Sequence, residues 1–226
     1  FETLAAETQF VLAELKLTLK NIRKWASPER RPTTLMNWPS SDWIYREPYG
    51  AVLIIAPWNY PFQLAFAPMI AAVAAGNTVV VKPSEVTPHT AAIISEIISV
   101  VFDPEHVSAV EGGVEVSQEL LAKKWDYIFF TGSTRVGQIV YESAAKHLTP
   151  VTLELGGKNP TIVDDTASIN LAAKRIVWGK FLNAGQTCIA TDYILVHKGV
   201  KDQLVDALIQ NITKCYGENI EQSPDF

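Results

Sequence analysis

Three short segments of this chain carry residues whose chemistry is complementary. Phe181-Leu182-Asn183-Ala184-Gly185-Gln186-Thr187-Cys188 places a thiol just past a turn of small and polar residues, in a chain with one other cysteine. Val151-Thr152-Leu153-Glu154-Leu155-Gly156-Gly157 sets a carboxylate near the end of an apolar run and follows it with paired glycines. Pro57-Trp58-Asn59-Tyr60-Pro61 holds a side-chain amide between two prolines. A thiolate is a nucleophile, a carboxylate can take a proton from water, and an amide N–H can donate to a developing oxyanion. Together they suit attack on a carbonyl carbon. Taken singly, each has a plainer reading: a small buried hydrophobe for Cys188, a buried ion-pair partner for Glu154, an ordinary turn residue for Asn59.

The elements that must position these groups are legible in the hydrophobic pattern. Leu4, Thr8, Val11, Leu12, Leu15, Leu19, Ile22 and Ala26 recur at helical spacing, which predicts one amphipathic helix from residue 1 to about 26, ended by Pro28 and Pro32. The stretch around 30–48 carries Trp38, Trp43 and Tyr45 with few aliphatics, and fits an extended hairpin arm and a wrapped loop equally well. After Gly50 short apolar runs read as buried parallel strands: Ala51 to Ala56, Thr78 to Lys82, Val107 to Val110, Tyr127 to Thr131 and Val151 to Leu155. Helical stretches alternate with them, at Phe62 to Ala75, Thr90 to Val101, Val114 to Ala122 and Arg135 to Lys146. Gly76 sits where a left-handed helix stop is expected and Pro88 where a first-turn proline is favoured. Beyond Glu154 the alternation continues with a strand from Pro160 to Val163, a helix from Asn170 to about Leu182, a strand from Tyr193 to Val196 and a helix from about Val200 to Tyr216. The expected fold is α/β, with a doubly wound, mostly parallel, Rossmann-like sheet. Ligands are then expected at the carboxyl ends of the strands.

Composition narrows the function classes. A chain of 226 residues with 48% hydrophobic content can bury a substantial core. The net charge of −5 comes without basic clusters larger than pairs such as Arg30-Arg31, which argues against a nucleic-acid footprint. No apolar run reaches the ~20 residues of a membrane span, and the strongest candidate, Phe62 to Ala75, is broken by Gln63 and Pro68. His89, His106, His147 and His197 show no metal-ligand spacing, so no metal is expected. Cys215, late in a helical stretch, reads as a half-buried thiol.

At the three opening segments, which keep the family's order and separations, the chain resembles the aldehyde dehydrogenase superfamily. It is most similar to the class 3 branch, which acts on aromatic and fatty aldehydes, and the resemblance runs the length of the chain. It implies that Cys188 is the nucleophile, with its own backbone N–H as one oxyanion donor and the Asn59 amide as the other. Glu154 would be the general base that activates the hydrolytic water. The implied cofactor is NAD, with NADP possible, and the implied substrate is a small-molecule aldehyde. Lys82-Pro83-Ser84-Glu85, on composition alone a surface ion pair, would hold the adenosine ribose through Lys82 and Glu85. A carboxylate at Glu85 accepts ribose hydroxyls and repels a 2′-phosphate, which favours NAD. Phe130-Thr131-Gly132-Ser133-Thr134-Arg135-Val136-Gly137 is not a G-x-G-x-x-G fingerprint, but a strand that opens into a helix there offers N–H groups to a pyrophosphate. By resemblance Gly132 and Ser133 lie near that group and Val136 near the adenine, with Trp58, Gly137, Leu155 and Gly156 as further cofactor contacts.

The resemblance also divides the chain into an NAD(P)-binding domain at 1–153, with a possible oligomerisation hairpin around 30–48, and the first part of a catalytic domain at 154–226. Family members are longer, so the chain is expected to be an internal piece of a cytoplasmic, homodimeric protein without nucleic-acid partners. It opens at Phe1, and Ser223-Pro224-Asp225-Phe226 reads as a connection. The family's Glu-x-Phe-Gly-Pro segment, which grips the nicotinamide ribose, and its C-terminal oligomerisation strand have no counterpart here. The piece alone is therefore expected to bind NAD weakly without turning over. Thr191 stands where the class 3 pattern has proline. Two rival readings are a coenzyme A-acylating relative, disfavoured by Glu154, and a nucleotide-binding fragment that does no chemistry.

Overall fold

In the computed structural model, residues 2–223 are described; Phe1 and the closing stretch from Pro224, read above as a connection, lie outside them. The chain forms two compact units, Phe1–Leu155 and Gly156–Phe226.

The first unit opens with a π-helical turn, Thr3–Thr8, that runs into helix α1 (Gln9–Ala26). Strands β1 (Glu29–Arg31) and β2 (Asp42–Ile44) then pair antiparallel, with Arg30 opposite Trp43. Of the two readings open for this stretch, the hairpin is the one that forms. Next come β3 (Ala51–Ile55), α2 (Gln63–Ala74), β4 (Thr78–Lys82), α3 (Pro88–Val101), β5 (Val107–Ala109), α4 (Val114–Leu121), β6 (Tyr127–Gly132), α5 (Thr134–Ala145) and β7 (Val151–Leu155). The five strands β3 to β7 form one all-parallel sheet in the order β5-β4-β3-β6-β7. Gly76 takes the expected left-handed backbone (φ 89°) and Pro88 opens α3.

Alternation along each strand loads both faces of this sheet with aliphatic side chains. Val52, Ile54, Val79 and Val81 pack with Val11 of α1, with Ala65, Phe66 and Met69 of α2, and with Ile94 and Ile98 of α3. On the other face Leu53, Ile55, Ile128 and Phe130 pack with Leu120 and Leu121 of α4 and with Val140 and Ala144 of α5. Two buried polar side chains behind this second layer are satisfied: Trp125 Nε1 donates to Leu120 O at 2.7 Å, and Thr149 Oγ1 donates to Trp125 O at 2.7 Å.

The first helix corrects the expected packing face. Leu4, Leu12, Leu15 and Leu19 are exposed, whereas Glu7, Val11 and Thr18 are buried. The reason lies in α2, whose first turn presents free N–H groups. Glu7 Oε2 accepts from Phe62 N at 2.8 Å and Gln63 N at 3.1 Å, which rotates that side of the helix inward.

Gly137 shows how closely α5 lies on β7. It is buried, and a Cβ added there would stand 2.7 Å from Leu155 Cδ2. Gly137→Ala should therefore destabilise the fold by about 1–3 kcal/mol, the usual range for overpacking, read as a lower denaturant midpoint at unchanged m.

The second unit holds β8 (Asn159–Val163), α6 (Ile169–Phe181), a 3-10 turn at Leu182–Gly185, β9 (Thr191–Val196) and α7 (Lys201–Tyr216). β8 and β9 pair in parallel, with a register irregularity between Asn159 and Pro160. Val163, Ala173, Ile176, Leu204 and Ala207 form its core. Cys215 is exposed rather than half-buried, because it lies in the last turn of α7, past the part that packs on this core. Among the described residues no helix is long and apolar enough to cross a membrane.

Candidate active site

In an open parallel sheet a ligand crevice forms where strand order reverses, outside the carboxyl ends. Here β3, the first strand of the sheet in the sequence, has β4 on one side and β6 on the other, so the reversal lies between β3 and β6. The segments that leave these two strands are Pro57–Pro61 and Gly132–Ser133. Trp58 and Asn59 thus flank the switch point on one side and Gly132 and Ser133 on the other. Trp58 is exposed, while Asn59 and Tyr60 are half-buried and held by further interactions.

Lys82 ends β4 with 2% of its surface exposed, and its Nζ reaches Glu85 Oε2 at 2.5 Å. A buried ammonium needs such a partner. The pair is therefore not the surface contact that composition alone allowed, since only the Glu85 side chain, 43% exposed, meets solvent. Burial raises the Glu85 carboxyl, but the hydrogen bond from Lys82, a backbone N–H and the ammonium charge outweigh it and hold the group below the usual carboxylate range. A folded value below the unfolded one means that the pair stabilises at neutral pH and that this contribution is lost as pH falls through the folded value. Partial exposure keeps the contribution small. NMR titration should place the Glu85 midpoint below that of the unfolded chain, and Lys82→Met should raise it.

At the β6–α5 junction Ser133 caps α5, its Oγ accepting from Val136 N at 3.3 Å. The first turn of α5 then points free N–H groups toward the carboxyl edge of the sheet. Gly132 fits closely there, since an added Cβ would stand 2.5 Å from the Phe130 ring. Val136 is exposed one turn further on. Thr131 carries a buried hydroxyl that has no hydrogen-bond partner among the described residues. Leaving such a group unpaired costs about 1–3 kcal/mol.

Glu154 lies near the end of β7, in register with Thr131 of β6, as Leu155 is with Gly132. Alternation puts Thr131 and Glu154 on the α2 side of the sheet, the side where Tyr127 Oη meets Thr152 Oγ1 at 2.5 Å. Lys82 and the start of α5 belong to the opposite side. The carboxylate is exposed and forms no ion pair among the described residues, so the plain reading of a buried ion-pair partner does not hold. β7 is an edge of the sheet, which leaves that position open.

In the second unit Cys188 sits in an exposed turn closed by Ala190 N donating to Thr187 O at 3.0 Å. The approach to it is strained: Asn183 (φ 51°) and Ala184 (φ 52°) are left-handed in succession, a conformation that costs roughly 1–2 kcal/mol for a residue with a Cβ. Strain of this kind collects at functional sites because the surrounding structure must enforce it. Gly156 opens this unit with no atom near its Cβ position, and Thr191 begins β9. A residue the sequence reading did not single out stands beside Cys188. Asn159 Nδ2 donates to Cys188 O at 2.6 Å and to Ala190 O at 3.2 Å. Only the motif spacing Glu-Leu-Gly-Gly-Lys-Asn could have drawn attention to it.

The sequence profile of the aldehyde dehydrogenase family matches residues 2–225. A solved structure described as the substrate-bound state of Staphylococcus aureus AldH superposes with a TM-score of 0.97 at 50% identity, over 100% of this chain and 49% of that one. A Mycobacterium tuberculosis aldehyde dehydrogenase complexed with NAD+ gives a TM-score of 0.81 at 34% identity, over 90% of this chain and 42% of its own. The mouse "aldehyde dehydrogenase, dimeric NADP-preferring" is 46% identical over 97% of this chain and 49% of its own length. The chain spans about half the length of the curated relatives it matches. By profile, fold and residue identity alike, it belongs to the aldehyde dehydrogenase family.

Proposed function

We propose that this chain supplies the dinucleotide-binding and thiol-bearing parts of an enzyme that oxidises an aldehyde to a carboxylic acid with NAD or NADP. The observation that carries the dinucleotide reading is the switch point between β3 and β6. At and beside it the capped start of α5, a Thr131 hydroxyl with no hydrogen-bond partner among the described residues, the glycine at 132 and the Lys82–Glu85 pair lie along the carboxyl edge of one sheet. These residues fit a dinucleotide. Backbone N–H groups of α5 suit a pyrophosphate, and the exposed Glu85 carboxylate, kept ionised by Lys82, suits a ribose diol. Trp58, Val136, Gly137, Leu155 and Gly156 are the further contacts the family reading assigns, with Gly137 and Leu155 also packed on each other.

Bound dinucleotide would supply the hydride acceptor. The chain's own residues do the rest in this reading. The Cys188 thiolate adds to the aldehyde carbon, and the oxygen charge that develops is met by the Asn59 amide and the Cys188 N–H. Loss of hydride leaves a thioester on Sγ. Glu154 then takes a proton from water as the water attacks the thioester, which releases the carboxylic acid and returns the thiol. An exposed carboxylate at the end of a sheet is open to water, which suits that role.

Glu85→Ser tests the cofactor half of the proposal. Removing the carboxylate that accepts from a 2′-hydroxyl and repels a 2′-phosphate should lower the ratio of kcat/KM for NAD over NADP by about tenfold, the equivalent of one charged hydrogen bond. An unchanged ratio would place the ribose elsewhere.

A further inference from the structure

We propose that Asn159 is a positioning residue for the Cys188 nucleophile, acting through the backbone of the turn that carries the thiol. This rests on the reading of Cys188 as the nucleophile. It adds a residue, and a device for aiming it, that the catalytic set of Cys188, Glu154 and Asn59 does not contain.

A thiol in an exposed turn has its direction set by the two peptide planes on either side of its Cα. Each peptide unit is planar, so holding its carbonyl oxygen also fixes the N–H on its far side. The plane before Cys188 contains Thr187 O, which accepts from Ala190 N at 3.0 Å and thereby orients the Cys188 N–H, the proposed oxyanion donor. The plane after it contains Cys188 O, and the bond that holds this oxygen comes from Asn159 Nδ2 at 2.6 Å. The same amide nitrogen donates to Ala190 O at 3.2 Å. One side chain thus ties down both ends of the half-turn from Cys188 to Ala190, and uses both N–H bonds of one amide to do so.

The strand pairing explains how Asn159 reaches the turn. In β8 and β9 Asn159 is opposite Thr191, but Pro160 is opposite Tyr193, so Asp192 is the extra residue of a bulge. Bulges redirect the side chain beside them. Gly157 adds close approach, since an added Cβ would lie 2.9 Å from Cys188 O and 2.9 Å from Asn159 Oδ1. Any side chain at 157 would push the carbonyl off the amide. The strain at Asn183 and Ala184 is upstream of this clamp, and the clamp lies downstream of the thiol, so the Cys188 turn is fixed from both sides.

Asparagine is needed here for its two donors. Aspartate has the same shape but, when ionised, presents oxygen to two carbonyl oxygens. When protonated it regains one donor. Leucine has similar bulk and no donor at any pH.

The test uses a full-length polypeptide carrying these residues, and its acylation readout needs no dinucleotide. Acylation of Cys188 by p-nitrophenyl acetate is read as the burst of nitrophenolate. Relative to the parent protein, Asn159→Asp should slow the burst at pH 8 by about tenfold or more, the scale expected when a reacting group is no longer held in line. The deficit should shrink as pH falls toward 5 and the carboxyl becomes a donor. Asn159→Leu should be slow at both pH values. Dinucleotide affinity should be unchanged in both variants, which a general loss of folding would not allow. Parent-like bursts in both variants, with the Cys188→Ala burst absent, would overturn this inference alone. A burst that persists in Cys188→Ala would overturn the functional reading, and this inference with it.

Discussion

Cys188→Ala, made in a full-length polypeptide carrying this chain, should lower the proposed aldehyde oxidation by about a thousandfold or more while leaving dinucleotide binding in place. The size of the effect follows from the route. Without Sγ there is no covalent intermediate, and the remaining groups can only hold an aldehyde near a hydride acceptor. The survival of binding follows from the fold. Lys82, Glu85, Thr131, Gly132 and the start of α5 belong to the unit Phe1–Leu155, whereas Cys188 belongs to the unit Gly156–Phe226. Cys215 gives the built-in control. It too is exposed, but it lies in the last turn of α7 and is not part of the turn that Asn159 holds. Cys215→Ala should leave turnover unchanged. Steady-state kinetics and dinucleotide titration of the two variants check both statements, and inactivity of Cys215→Ala with full activity of Cys188→Ala would exchange the roles of the thiols.

Glu154→Gln has the second largest expected effect, and a more diagnostic one. Steady turnover should fall by about a hundredfold or more, the usual contribution of a positioned general base, while the first turnover still releases reduced cofactor at close to the parent rate. Glutamine keeps the shape of the side chain at the end of β7 but cannot take a proton. Thioester should therefore accumulate after a normal burst. Stopped-flow absorbance at the reduced nicotinamide band separates the two phases. If the burst itself disappeared, Glu154 would act earlier, on the thiol rather than on water.

How much of this was legible in the chain depended on the range of the forces involved. The strands were clear because a parallel sheet covered on both faces needs uninterrupted apolar runs, and Ala51 to Ile55 or Thr78 to Val81 can hardly be anything else. Helix boundaries at Pro88 and Gly76 were clear because backbone chemistry there is local. Cys188 and Asn59 stood out because their reactive side chains sat among turn residues, Glu154 because it was a carboxylate in an apolar run, and all three because their order matched a family.

What stayed hidden was set by distant partners. Glu7 is buried only because the first turn of α2, at Phe62 and Gln63, needs an acceptor, and no helical periodicity in α1 encodes that. Asn159 looks like any loop asparagine until the bulge between β8 and β9 brings it under the Cys188 carbonyl. The Thr131 hydroxyl looks like any strand threonine until burial leaves it with no hydrogen-bond partner among the described residues. Exposure also escaped the sequence: Cys215, read as half-buried from its place late in an amphipathic helix, is exposed because it ends that helix, and Glu154 is open to solvent because its strand is an edge of the sheet.

The central claim is that carbon from the aldehyde becomes bonded to Cys188 Sγ, and the most direct measurement is to trap that bond. Full-length protein bearing Glu154→Gln is mixed with NAD and an excess of aldehyde, quenched in acid within one turnover, digested and mapped by mass spectrometry. An acyl group, two hydrogens lighter than the aldehyde adduct, is expected on the peptide containing Cys188 and none on the peptide containing Cys215. Reduced cofactor formed in full with no acyl group on Cys188 would contradict it.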